Sequence, residues 1–242
     1  MRDGLSQLDG SAVTNPDAEV TRLLALDSCA VSDALDSLDI AGVPLGLVPL
    51  TVRRRIGGRA VTVQLAPVGD APPASRHLGT SAVVSAGPND VIVVDNGGRC
   101  DVAGWGGLLS LAASIRGIAG VVVDGAVRDI DEAHDVEFPI YARVGVPRTA
   151  RGRIVERATD IDIEIAGVCV RPGDLILADG SGVVVIPATR ADAVLSRAEE
   201  FVRVEAAMAS DLRAARPVTE VMGTAYETIV EKKKERPGEW AS

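Results

Sequence analysis

Apolar positions change period several times along this chain, and each change marks an element. In "TRLLALDSCAVSDALDSLDI" they recur at Leu23, Leu24, Leu26, Val31, Leu35 and Leu38, which predicts one helix with Ser28 or Ser32 as candidate caps. The Gly and Pro of "AGVPLGLVPL" end it. "RAVTVQLAP" (59–67) alternates around Val61, Val63 and Leu65 and predicts a strand. "DVIVVDNGG" (90–98) reads as a buried strand ending in a glycine turn, and "GVVVDG" (120–125) as another. Between them, "GLLSLAASIRG" sets Leu108, Leu111, Ala112 and Ile115 at helical spacing, with Gly117 as the stop. Strand, helix and strand in so short a span predict a βαβ unit with parallel strands. Further strands are expected at "FPIYARV", "IAGVCVRPGD", "LILAD" and "GVVVIP"; Gly-Asp and Asp-Gly turns make the last three antiparallel. From Thr189 to about Ala215 the pattern is one long helix. The class is therefore α/β with mixed sheets. Without repeats or low-complexity linkers, residues 1–242 read as one domain, with a core over about 25–188 and a helical arm over about 189–230. Residues 1–19 read as a loose polar arm, and "EKKKERPGEW" as an exposed tail.

Composition sharpens this picture. Hydrophobic residues are 47% and aromatics only 2%, so the core must be built from Val, Ala, Leu and Ile, as in strands buried on both faces. A net charge of −9 argues against nucleic acid as a ligand. Arg53-Arg54-Arg55 is too short to reverse that and reads as a solvated strand end or an ion-pair site between subunits. Cys29, Cys100 and Cys169 are odd in number and widely spaced, which predicts neither a disulfide framework nor structural zinc. The first residues carry no signal-peptide pattern, and no run approaches the ~18 apolar residues of a membrane span. The expectation is a cytoplasmic protein without membrane contact.

Two stretches look like chemistry. In "DNGGRCDVAGWGGLLSLAAS" a strand, a glycine-rich connection and a helix starting near Gly106 follow one another. The first amides of a helix lack partners, and its dipole favours anions, so the amides of Gly106 to Leu109 could hold a carboxylate or phosphate. The same glycines could equally serve a tight turn and close packing. The P-loop Lys and a GxGxxG fingerprint are absent. In "VVVDGAVRDIDE" the strand after that helix ends in Arg128 and Asp129, on the edge where parallel strands place their ligands. Asp129 with Glu132 could instead be a capping box for the short helix "IDEAHD". His77 and His134 have no partner at ligand spacing and read as surface residues, so a His-bound zinc site is not expected, and if there is a metal the natural one is an oxygen-ligated Mg²⁺ or Mn²⁺. On the last helix, Ala191, Val194, Leu195, Ala198, Val202, Ala209 and Leu212 form an apolar stripe with Glu205 near its middle. That carboxylate could be in a buried ion pair, on a helix end beyond the core, or aimed at a polar site, including one in a neighbouring subunit.

"WGGLLSLAASIRGIAGVVVDGAVRDIDE" resembles the central signature of the RraA-like superfamily. That group includes class II 4-hydroxy-4-methyl-2-oxoglutarate and 4-carboxy-4-hydroxy-2-oxoadipate aldolases and the regulator of ribonuclease activity A. "SCAVSDALD", "GGRAVTV", "VCVRPGDLILADGSGVVVIP" and the final helix fit in order, so the resemblance covers about residues 25–210. It implies a swivelling β/β/α-type fold, a homotrimer or homohexamer, and active sites between subunits. It further implies that the amides of Gly106, Gly107, Leu108 and Leu109 bind a substrate carboxylate, that Arg128 binds substrate oxygens, and that Asp129 ligates Mg²⁺ or Mn²⁺. A glutamate on an adjacent subunit's last helix would complete the site; Glu205 is the candidate, with Glu199 and Glu200 as alternatives. One departure stands out: the aldolases commonly carry an acid where this chain has Gly107.

The implied activity is a metal-dependent lyase that forms or consumes a pyruvate enolate. It would act by retro-aldol cleavage of a 4-hydroxy-2-oxo diacid, by oxaloacetate decarboxylation, or by both. No lysine precedes Lys232, which leaves no Schiff-base route in the core motifs and favours a Lewis acid. A non-catalytic oligomer that binds proteins, as the ribonuclease regulator does, is the alternative, although Asp129 is absent from that branch's motif. A related lyase with a larger substrate is another.

Overall fold

A computed structural model of the chain describes residues 17–69 and 76–223. Residues 1–16 of the arm expected over 1–19, and the charged tail, lie outside these residues; the arm's last residues are instead ordered, with Asp17 capping a helix that starts at Ala18. In chain order the elements are α1 (Ala18–Leu24), α2 (Ser28–Ser37), β1 (Val48–Pro49), β2 (Ile56–Pro67), α3 (Thr80–Ser85), β3 (Val91–Ala103), α4 (Gly107–Ile115), β4 (Gly120–Val127), α5 (Ile130–Asp135) and β5 (Ile140–Gly145). There follow β6 (Ile154–Thr159), β7 (Ile163–Ile165), β8 (Val168–Val170), β9 (Leu175–Asp179), β10 (Gly182–Ile186), α6 (Ala191–Arg213) and α7 (Val218–Val221).

The main sheet runs β1-β5-β4-β3-β2-β9-β10, with β6 also on β2. Strands β2, β3, β4 and β5 are parallel neighbours, whereas β1, β6, β9 and β10 pair antiparallel. The mixed sheet and the β3-α4-β4 unit agree with the sequence pattern. Alternate residues of the parallel strands point to opposite faces and serve two cores. Ile92, Val94, Val121 and Val123 pack with Trp105, Leu109 and Phe138 beneath α3, α4 and α5. Val91, Val93 and Val122 pack on the other face with Ile163, Ile165, Val168 and Val170 of the β7–β8 ribbon. A third core joins α1, α2 and α6 to β9 and β10 through Leu35, Leu177, Val194 and Phe201.

Several boundaries differ from expectation. The first predicted helix is two, because Asp27 is extended and its carboxylate accepts from the Ala30 amide at 2.9 Å, starting α2 afresh. Asp179 of β9 fixes that start, accepting from the Ser28 amide at 2.9 Å and hydroxyl at 2.7 Å. The glycine turn expected after Asp95 is a bulge: Gly97 and Gly98 take positive φ, the register shifts twice, and β3 continues to Ala103. β4 likewise continues to Val127. The antiparallel expectation for the last three strand segments holds: β9 and β10 pair with each other, and β8 pairs antiparallel with β7 in a separate two-stranded ribbon.

Inside β4, Asp124 is 6% exposed in its side chain and accepts from the Arg143 guanidinium and, at 2.8 Å, from the Ala166 amide. It ties the β7–β8 ribbon to the parallel sheet. Asp124→Ala would leave that cation and amide without their acceptor, at about 3 kcal/mol. Thermal denaturation should show a Tm lower by roughly 10 °C; an unchanged Tm would refute this role.

Candidate functional site

The turn before α4 is built rigidly. The Trp105 indole donates to Ser110 Oγ at 3.0 Å, and that hydroxyl donates to the Gly106 carbonyl at 3.2 Å. Trp105 also stacks on Phe138, with ring centroids 6.4 Å apart. The Arg128 amide donates to the Trp105 carbonyl at 3.0 Å, so the end of β4 is pinned beside the start of α4. The two stretches singled out in the sequence therefore meet.

Asp129 has φ 57° and ψ 45°, a left-handed conformation that Asp tolerates better than most residues. Its side chain does not cap its own helix α5, so the capping-box reading is not what the structure adopts. Oδ2 instead accepts from the Gly107 amide at 3.0 Å and lies 3.2 Å from Arg128 Nε. Among the described residues, Oδ1 has no hydrogen-bond partner. The carboxylate sits at the positive end of α4, where the dipole favours it.

This narrows the expected anion cradle. Asp129 occupies the Gly107 amide, and the Gly106, Leu108 and Leu109 amides have no hydrogen-bond partner among the described residues. Gly106 is extended and its backbone suits any residue, but a Cβ there would stand 2.9 Å from Asp129 Oδ2 and 3.3 Å from Arg128 Nε. A Cβ on Gly107 would stand 3.1 Å from the Asp129 Cβ and 3.2 Å from the Glu132 Cβ. The absent acid at 107 thus has a packing correlate: α5 lies close against the start of α4. Gly106→Ala should displace the Arg128–Asp129 pair and lower activity about tenfold or more, through misplacement of ångström scale. Normal activity in a folded Gly106→Ala protein would show that this close approach is not needed.

Gly106 to Leu109, Arg128 and Asp129 all border one cavity of about 640 Å³. Sequence reasoning missed Glu156, also on its wall, which accepts from the Gly79 amide at 2.7 Å and the Thr159 hydroxyl at 2.8 Å. β6, which carries it, has a weakly alternating pattern that gave no signal. His77, taken for a surface residue, is exposed and yet borders the cavity. His134 is exposed on α5, as expected.

Glu205 is not brought to this site within one chain. The stripe on α6 is buried from Ala191 to Phe201, but then the helix outruns its core and Glu205 is exposed. The expectation that it lies on a buried face is corrected; the helix end beyond the core is what forms. Glu199 is held by Arg22 at 2.7 Å, which lowers its pKa, and Glu200 by Arg197 at 2.6 Å. Among the described residues, no three His, Cys, Asp or Glu side chains cluster to hold a metal ion. A metal here would therefore have Asp129 as its protein ligand and would rely on substrate and water oxygens, a coordination usual for Mg²⁺. The open Oδ1 on a cavity wall fits that donor set.

A helix end facing a cation and an acid, beyond the carboxyl ends of parallel strands, is the place in an α/β fold where anionic ligands can be held. The chain belongs to the RraA-like, Aldolase/RraA family, whose profile matches residues 28–185. It is 36% identical over 182 residues to a putative 4-hydroxy-4-methyl-2-oxoglutarate aldolase of Halalkalibacterium halodurans, covering 75% of this chain and 82% of that one. It is 32% identical over 201 residues to protein DlpA of Legionella pneumophila, covering 81% of this chain but 32% of DlpA, so it spans about a third of that relative. An uncharacterized protein from Pseudomonas syringae pv. tomato shares the fold at a TM-score of 0.77 and 30% identity, over 85% of this chain and 97% of that structure. No helix of the described residues is long and apolar enough to cross a membrane.

Proposed function

We propose that the protein is a divalent-metal-dependent lyase that makes or consumes the enolate of pyruvate. Its substrates are a 4-hydroxy-2-oxo diacid, cleaved by a retro-aldol step, and oxaloacetate, which is decarboxylated. The observation that carries this reading is the placement of Asp129, turned from its own helix to stand beside Arg128 and the start of α4 on a cavity wall.

Both reactions leave an electron pair on C3 of a 2-oxo acid. Mg²⁺ or Mn²⁺ held at Asp129 would supply Lewis acidity to the 2-oxo-carboxylate. The Leu108 and Leu109 amides hold the carboxylate in register. Arg128 offers fixed positive charge where negative charge grows on the C2 oxygen. In the retro-aldol direction the C4 hydroxyl loses its proton to water, C4 becomes a carbonyl as the C3–C4 bond breaks, and C3 of the enolate then takes up a proton to give pyruvate. Decarboxylation needs no such deprotonation and tolerates the missing acid at Gly107 better.

The site is shared between subunits of a homotrimer or homohexamer in this reading. Two uncovered apolar surfaces support that. On α4, Leu108, Leu111 and Ile115 are 85%, 42% and 77% exposed, and the far end of α6 with α7 exposes Leu212, Val218 and Met222. An arm packed on the next copy's α4 would carry Glu205 toward its site.

The test is pyruvate release from oxaloacetate and, separately, from 4-hydroxy-4-methyl-2-oxoglutarate, above metal-only controls, with light scattering on the same sample. Release that EDTA abolishes, from a trimer or hexamer, is expected. Release undiminished by EDTA overturns the metal role. A monomer with full activity removes the shared site. No pyruvate from either substrate overturns the lyase and leaves the protein-binding alternative.

A further inference from the structure

The cavity is larger and less polar than its charged end requires. Cavities that bury drug-sized ligands run from about 300 to 1,000 Å³, and this one, at about 640 Å³, lies well inside that range. Away from Arg128 and Asp129 its wall includes the apolar Val68, Leu78, Ala103, Ala150, Ile154 and Val155, beside the polar His77, Thr149 and Glu156. A compact diacid has no use for such a surface, and an apolar chain does.

Two cations also border the cavity on exposed loops. Arg76 and Arg151 form no ion pair among the described residues, although the protein is acidic overall. The nearby acid Glu156 is engaged elsewhere, with the Gly79 amide and the Thr159 hydroxyl. The cavity therefore has an anion-binding floor, an apolar wall and a cationic rim.

We propose that the preferred substrate is a 4-hydroxy-2-oxo acid whose C4 substituent is an extended apolar chain ending in an anionic group. The head binds at Arg128 and α4, the chain lies along the Leu78–Ile154 wall, and the terminal anion meets Arg76 and Arg151. This rests on the lyase reading above and names its substrate class. In the synthetic direction C3 of pyruvate loses a proton. Its electron pair forms the C3–C4 bond to an aldehyde carbon, and the aldehyde oxygen takes up a proton as the C4 hydroxyl.

The experiment uses the full chain with Mg²⁺. Exchange of the pyruvate methyl protons in D₂O, followed by NMR, reports enolate formation without any acceptor. Aldol addition of pyruvate to propanal, hexanal and 6-oxohexanoate then compares aldehydes of similar intrinsic reactivity. The expected kcat/KM for hexanal is at least tenfold that for propanal, with about tenfold more for 6-oxohexanoate. Arg151→Ala should bring 6-oxohexanoate back to the hexanal value. Ala150→Phe, which fills the cavity, should reduce the hexanal-to-propanal ratio at least fivefold. Exchange with a flat series, or with no gain from the terminal carboxylate, overturns the substrate class and leaves the enolate chemistry standing; a cavity wall covered by a neighbouring copy would give that result. Absence of exchange overturns the lyase reading and this proposal with it.

Discussion

Asp129→Asn is expected to abolish metal-dependent turnover while leaving the fold intact. Asparagine tolerates the left-handed conformation at 129 nearly as well as aspartate. Its side-chain oxygen can still accept from the Gly107 amide, now at 3.0 Å from Oδ2. What disappears is one negative charge. The charge stands at a helix N-terminus and beside a partly exposed arginine, so its loss alters stability by only about 1 kcal/mol. The same charge is the protein's ligand for a hard cation in the proposed mechanism, and Lewis-acid stabilisation is worth several kcal/mol. The predicted fall in kcat/KM is on the order of 10³ or more. Isothermal titration with Mn²⁺ should lose its heat signal in parallel, while the Tm moves by no more than about 3 °C. A variant that keeps both turnover and Mn²⁺ binding would disprove the assignment of Asp129. One that unfolds would show that the carboxylate acts as a structural cap of α4.

Asp129 also shows where the sequence was legible and where it was not. The strands at 90–98 and 120–125, the helix between them and their parallel pairing follow from β-branched runs and helical spacing, both local patterns. That local order suffices to bring Gly106 and Arg128 to one edge. The direction of the Asp129 side chain does not follow, because Asp-x-x-Glu before a short helix fits a capping box equally well. The choice is made by the left-handed backbone at 129 and by the Arg128 amide bonding the Trp105 carbonyl, a contact across the fold. Glu156 was illegible for a similar reason: β6 is held by pairing with β2 rather than by its own alternation. Glu205 illustrates the opposite error. The stripe on α6 repeats faithfully past Phe201, but periodicity cannot say where the core beneath a helix stops. Beyond that point the apolar residues Leu212, Val218 and Met222 are exposed.

Arg128→Ala is expected to lower kcat by about 10²–10³, the usual loss when one fixed donor at a developing oxyanion is removed. The side chain is well placed for that work and poorly placed for a structural one. It is partly exposed, and its ion pair with Asp129 is partly exposed on both sides, so the pair stabilises the fold by no more than about 1 kcal/mol. The backbone contact that holds the segment, from the Arg128 amide to Trp105, survives any side-chain change. The effect should therefore be visible in kinetics and nearly invisible in melting. Arg128→Lys separates charge from geometry: an ammonium restores a cation but not the planar fork, so it should recover about tenfold of the loss and no more. The division between kcat and KM is the deciding measurement. If the guanidinium acts mainly on charge that grows at the C2 oxygen, kcat falls with kcat/KM; if it merely anchors the substrate, KM rises and kcat holds. The second pattern would move Arg128 out of the chemical step and leave the bound cation as the sole stabiliser of the enolate.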